Sequence, residues 1–196
     1  MAEKLSIVFE KTAFVAIDLQ QGIVNRELAP YKSADVIANA AKLADAFRKN
    51  GAFVVLVNVT SKDGKDTLKG IADQPMQWGR SMTPEEWARM SELVPELNRQ
   101  QSDLIITKRQ WGAFYGTELD LQLRRRGIDT ILLCGISTNI GVETTARDAY
   151  QRGYNIIIAE DACTASSAEE HDNSKKFIFP RIARIRTTEE ILEALK

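Results

Sequence analysis

Histidine is almost missing from this chain. His171 is the only one in 196 residues, and a lone histidine beside a C-terminal helix reads as a surface or packing residue rather than a metal ligand. Cysteine is nearly as scarce. Cys134 and Cys163 are the only two; both lie in or beside apolar runs, which excludes a disulfide framework and makes a reducing, cytoplasmic compartment the expectation. No apolar run approaches the roughly 20 residues of a membrane span. The opening MAEKLSIVFEKT lacks the long apolar core of a secretory signal. Neither sign of charge dominates either: a formal net charge of −1 excludes bulk attraction to nucleic acid or an anionic membrane surface.

What the chain does have is a regular alternation of apolar runs and helical patterns. Residues 13–17 read as a first strand, ending at Asp18. Ser33 or Asp35 can cap a helix with Val36, Ala40, Leu43 and Phe47 on one face, closed by Asn50-Gly51. Residues 52–59 form a second strand, apolar enough to be covered on both faces. A long polar loop, 60–81, follows. Thr83-Pro84-Glu85-Glu86 then combines a cap, a first-turn proline and a capping-box acid, predicting a short helix that ends before Pro95. A third strand, 104–107, ends at Lys108 and leads into an aromatic-rich loop, 108–116. Thr117-x-x-Asp120 opens a helix stopped by Gly127. Strands are expected at 130–134, 154–159 and 183–186, and Thr187-x-x-Glu190 caps a last helix.

The alternation runs without a linker or repeat, and the length suits one domain. The expected fold is an α/β three-layer sandwich around a six-stranded, mostly parallel sheet of Rossmann-like type. In such sheets the ligand sits at the C-terminal ends of the strands. Asp18, Lys108 and the glycine-bounded turn 135–141 all fall at such ends. A strand entering a helix through a tight turn also aims unpaired N–H groups at one point, which favours an oxyanion or carboxylate. Around this rim, Gln20, Trp78, Arg80, Trp111, Phe114 and Asn139 are candidate contacts for a small-molecule substrate. Trp78, Trp111 and Phe114 would wall a pocket for a flat or cyclic ligand, and Arg80 would pair with a carboxylate. For Phe114 a place in the core fits the pattern equally well.

The stretch LLCGISTNIGVETTARDAY resembles the signature of the isochorismatase-like hydrolases, which include cysteine amidases. Gly135, Thr138, Asn139, Val142, Thr145, Ala146, Asp148 and Ala149 match it. So do the block around Asp18, Lys108 with Phe114, Thr117 and Leu119, and Glu160-Asp161-Ala162, so the likeness spans most of the chain. Gly141 stands where the nucleophilic cysteine would be. In this the chain resembles most the YecD-type branch, in which glycine also fills that position.

The resemblance implies Asp18 as general acid/base and Lys108 as the polarising cation. It also implies an oxyanion hole at the N–H groups of Ser137 and Gly141, a cis Ile136–Ser137 bond, and a homo-oligomer, dimer or tetramer. With glycine at position 141 the thioester route is closed. True isochorismatases, which cleave a vinyl ether without a cysteine nucleophile, are the precedent. Their aromatic residue near Ser137 and histidine near Asn139 are absent here. Residues 58–66 lack the histidines that hold a metal in nicotinamidases, so no metal and no cofactor are expected. Two other readings stay open: a binding protein that has lost catalysis, and a cysteine amidase using Cys163.

Overall fold

The computed structural model describes residues 5–68, 70–75 and 82–195. Six strands form one sheet: β1 (Thr12–Ile17), β2 (Phe53–Val59), β3 (Leu104–Lys108), β4 (Thr130–Ile136), β5 (Asn155–Thr164) and β6 (Arg184–Arg186). Their order is β3-β2-β1-β4-β5-β6, and every neighbouring pair is parallel, where the sequence predicts a mostly parallel sheet. All of β1 is buried, as its run of apolar residues demands of a strand covered on both faces.

A helical turn, α1 (Gln21–Val24), follows β1 directly. The long helix α2 (Ser33–Lys49) buries Val36, Ile37, Ala40, Leu43, Ala44 and Phe47 and lies against β1, β2, β4 and β5, with α8 (Thr188–Ala194) beside it. Right-handed crossovers put the remaining helices on the other face: α4 (Leu119–Arg125), α5 (Glu143–Gln151), α6 (Ala168–Asn173) and α7 (Phe179–Ile182). The short α3 (Pro84–Met90) packs near α1 at the rim. Among the described residues no helix is long and apolar enough to cross a membrane.

The caps show where local sequence decides structure. Thr83 and Glu86 form a capping box at α3, and Thr187 and Glu190 form one at α8. Ser33, in contrast, donates to the carbonyl of Val24 at 2.5 Å, so α2 begins without a side-chain cap and is held by its buried stripe. Thr117, two residues before α4 begins, accepts from Leu119 N.

Two strands run further than their apolar patterns suggest. β4 continues through Gly135 to Ile136 instead of breaking at the glycine. β5 continues to Thr164, which takes Cys163 off the rim and into the strand. β5 also bulges: Leu133 pairs with Ile158 and Gly135 with Cys163. Two steps along β4 thus match five along β5, so three extra residues loop out around Glu160 and Asp161.

Candidate active site

The chain winds outward from β1 to β2 and β3 on one side, and from β4 to β6 on the other. The crevice between the ends of β1 and β4 is therefore the switch point where a doubly wound sheet opens. Asp18 sits there, one residue past β1. Its N–H still bonds to Val57 O on β2 at 2.9 Å. Its φ of +54° then turns the chain sharply off the sheet, a conformation that Asp tolerates better than most residues.

Lys108, the last residue of β3, reaches back to Asp18. Its Nζ lies 2.7 Å from Asp18 Oδ2 and both side chains are buried. A second hydrogen bond runs from Nζ to Gln110 O at 3.1 Å. The two carboxylate oxygens of Asp18 are therefore unequal. Oδ2 holds the ammonium, and Oδ1 is buried with no protein partner. Burial raises the carboxyl's pKa above its usual value, against the opposing charge and hydrogen bond of Lys108 and the charge of Arg26.

The turn after β4 closes over this pair. Gly135 has a φ of +127°, and a Cβ there would lie 2.1 Å from Ile17 O, so only glycine lets β4 approach the end of β1. The Ile136–Ser137 bond is cis. A π-helical turn, Thr138–Val142, leads into α5, and Ser137 O accepts from Ile140 N at 3.1 Å and Val142 N at 3.2 Å. Thr145 stitches the turn to the loop after β3. Its hydroxyl donates to Gly141 O at 2.6 Å and accepts from Ala113 N at 3.1 Å. A Cβ on Gly141 would lie 3.0 Å from Ile17 Cγ2, 3.3 Å from Asp18 Oδ2 and 3.5 Å from Trp111 O. The turn thus presents Gly141 directly to the Asp18 carboxylate, with no spare volume where a side chain would begin.

The isochorismatase domain matches residues 12–190. The chain belongs to the isochorismatase family. It is similar to the isochorismatase family protein YwoC of Bacillus subtilis, with 55% identity over the whole of both chains. It is also similar to YecD of Escherichia coli O157:H7, with 53% identity covering 97% of this chain and 100% of the relative. A solved isochorismatase family structure from Burkholderia thailandensis superposes with a TM-score of 0.89 at 41% identity, covering 97% of this chain and 98% of that one.

Within this family framework the remaining expected contacts divide. Asn139 lies on the turn with its Oδ1 buried and unpartnered. Trp111 presents its carbonyl toward Gly141 while the residue is about half exposed. Gln20 and Phe114 require correction. The Gln20 amide is committed to the backbone: Nε2 donates to Val59 O and Met90 O, both at 2.9 Å, and Oε1 accepts from Val59 N at 2.7 Å. Phe114 is buried against Tyr154, ring centroids 5.9 Å apart, with the Arg152 guanidinium 4.9 Å above it; it is core, not pocket wall. Trp78 and Arg80 lie outside the described residues.

The Cys163 alternative also fails on geometry. Cys163 is fully buried in β5, and burial pushes its thiol up to about 12, far from a nucleophilic thiolate. Cys134 is buried likewise, its thiol raised for the same reason. Among the described residues no cluster of three His, Cys, Asp or Glu side chains could hold a metal ion. Two residues stand out to which sequence reasoning gave no role in the site. Arg26, after α1, acts on Asp18 through its charge. His171 is buried beneath the turn, its Nδ1 2.9 Å from Thr138 Oγ1. No spacing or motif distinguishes Arg26 from a solvated loop arginine.

Proposed function

We propose that the chain is a hydrolase of a small, carboxylate-bearing molecule, working by acid–base chemistry without a cysteine nucleophile. One observation carries the reading: Asp18 lies beside Gly141 of the turn with Oδ2 tied to Lys108, and its Oδ1 is buried and unpartnered. A carboxyl whose pKa is raised can hold a proton on that second oxygen and deliver it. In a vinyl-ether cleavage the Asp18 proton passes to the vinyl carbon, leaving an oxocarbenium ion. Water then adds to the cationic carbon and returns a proton to Asp18, and the resulting hemiketal collapses to a ketone and an alcohol. Lys108 offsets the negative charge left on Asp18. The N–H groups of Ser137 and Gly141 receive the oxygen on which negative charge develops as the alcohol departs, and Arg26 supplies positive charge for a substrate carboxylate. The chain acts as a homo-oligomer, dimer or tetramer.

The test is turnover of isochorismate and a panel of small amides, with Asp18→Asn as control. The substitution is expected to cost about 10²–10⁴-fold in rate while leaving the circular dichroism spectrum unchanged. Undiminished turnover by the variant would overturn the assignment. The pH profile has a required sign. Asp18 acts in its protonated form, so turnover declines as pH rises through its raised pKa. Silence on every substrate, with a ligand that raises the melting temperature, would instead favour a binding protein.

A further inference from the structure

The turn that carries Ser137 and Gly141 rests on a second buried cluster, separate from Asp18 and Lys108. Thr138, the first residue of the π-helical turn, is fully buried, and its hydroxyl meets His171 Nδ1 at 2.9 Å. On the far side of the ring, Nε2 is buried without a hydrogen-bond partner and lies 3.8 Å from Glu160 Oε2. The β5 bulge presents Glu160 to this space. Its Oε2 also takes Lys175 Nζ at 2.7 Å and the Tyr31 hydroxyl at 3.2 Å. His171, Lys175 and Tyr31 together hold its carboxyl down to about 2. The Tyr31 ring packs edge-on to the imidazole, centroids 5.7 Å apart.

The other charged groups around the ring are engaged elsewhere or lie on its own helix. Asp161 accepts from the Thr188 N–H and hydroxyl at 2.7 and 2.8 Å. Glu143 accepts from Ser174 Oγ at 2.6 Å, and Lys176 lies over the Phe177 ring. Glu169, Glu170 and Asp172 belong to α6 itself.

This arrangement selects a tautomer. A carboxylate facing Nε2 favours a proton there, since a bare lone pair would oppose it. Nδ1 is then the acceptor and the Thr138 hydroxyl the donor. A second proton can go only to Nδ1. The ring would then donate to Thr138, and the threonine hydroxyl would have to turn its own proton away inside a packed site. A single proton therefore reverses the hydrogen bond on which the first residue of the turn rests.

We propose that His171 is a positioning residue for the donor turn, acting through Thr138. The neutral ring holds Ser137 and Gly141 in the geometry that receives an oxyanion, and a ring that gains a second proton releases it. The role assigned to the turn rests on the hydrolase reading above; the coupling between ring and turn does not.

Because His171 is the only histidine, its ring signals in an NMR spectrum are unambiguous. The experiment is a titration of the isotope-labelled protein from about pH 9 to about pH 5, following the imidazole together with the Ser137 and Gly141 amides. The expected result is one shared midpoint for ring and turn, with amides remote from α6 unmoved. In Thr138→Val the ring should still titrate while the turn amides no longer follow it. In His171→Asn, which keeps a polar atom near the position of Nδ1, the turn amides should stay at their high-pH positions throughout. A ring that remains in one state across the range, or turn amides that do not follow it in the unsubstituted protein, would overturn the proposal. Normal turnover by Asp18→Asn would sink the hydrolase reading and leave this result intact. Turn amides indifferent to the ring would do the reverse.

Discussion

Gly141 is less a gap than a fitted part. Ile17 Cγ2 and Asp18 Oδ2 crowd the place where a Cβ would stand, and a β-branched side chain has little rotamer freedom with which to retreat. Gly141→Cys is therefore expected to lower stability by about 1–3 kcal/mol through overpacking, read as a shift in the denaturant midpoint. An unchanged midpoint would mean that Ile17 yields. Asp18 and Lys108 were legible in the sequence because a charged residue ending an apolar strand must emerge on one known rim. Gln20 and Phe114 were misread because a rim position does not say which way a side chain turns. Gln20 turns toward backbone carbonyls, and Phe114 turns toward Tyr154. The role of His171 was illegible for a related reason. Its partner Glu160 reaches it only because β5 bulges, and the sequence carries no mark of that bulge.

Among the elements, β4 and β1 depend on each other at one residue. A methyl on Gly135 would meet Ile17 O at 2.1 Å and Ile17 N at 2.7 Å, both backbone atoms that cannot move without parting the strands. Gly135→Ala is expected to cost more than about 4 kcal/mol and to yield little folded protein. Gly153→Ala is the control. Its φ of +80° is equally unsuited to a side chain, but nothing lies within 4 Å, so the cost should be the conformational one of about 1–2 kcal/mol. Comparing the two melting temperatures separates close approach from dihedral preference. The strands and their order along the chain were readable because the first five are apolar runs among helical patterns and the sixth, Arg184–Arg186, precedes a clear helix cap. Their ends were not, because β4 runs on through a glycine and β5 resumes its pairing beyond a bulge at two acidic residues.

For the whole molecule, Trp111 and Tyr115, on the loop after β3, are among the exposed large side chains, at 51% and 59%. Their covering by a second copy is the expected form of the proposed oligomer. Light scattering coupled to gel filtration should give the mass of a dimer or tetramer, and a monomer at micromolar concentration would count against it.

The Gln20 clasp has a consequence for how such a molecule can change over generations. One side-chain amide bonds to Val59, where the chain leaves the sheet, and to Met90, where it comes back; the returning strand then meets Leu19 and Gln20 themselves through Val94 and Leu93. Both ends of a thirty-residue excursion are thus riveted to the same spot beside Asp18, and closing a longer or shorter loop between fixed ends costs little, about 0.6 kcal/mol per doubling of length. The segment behaves as an interchangeable cassette. Insertions, deletions and wholesale replacement within it can accumulate while the sheet beneath keeps its register and the acid its place.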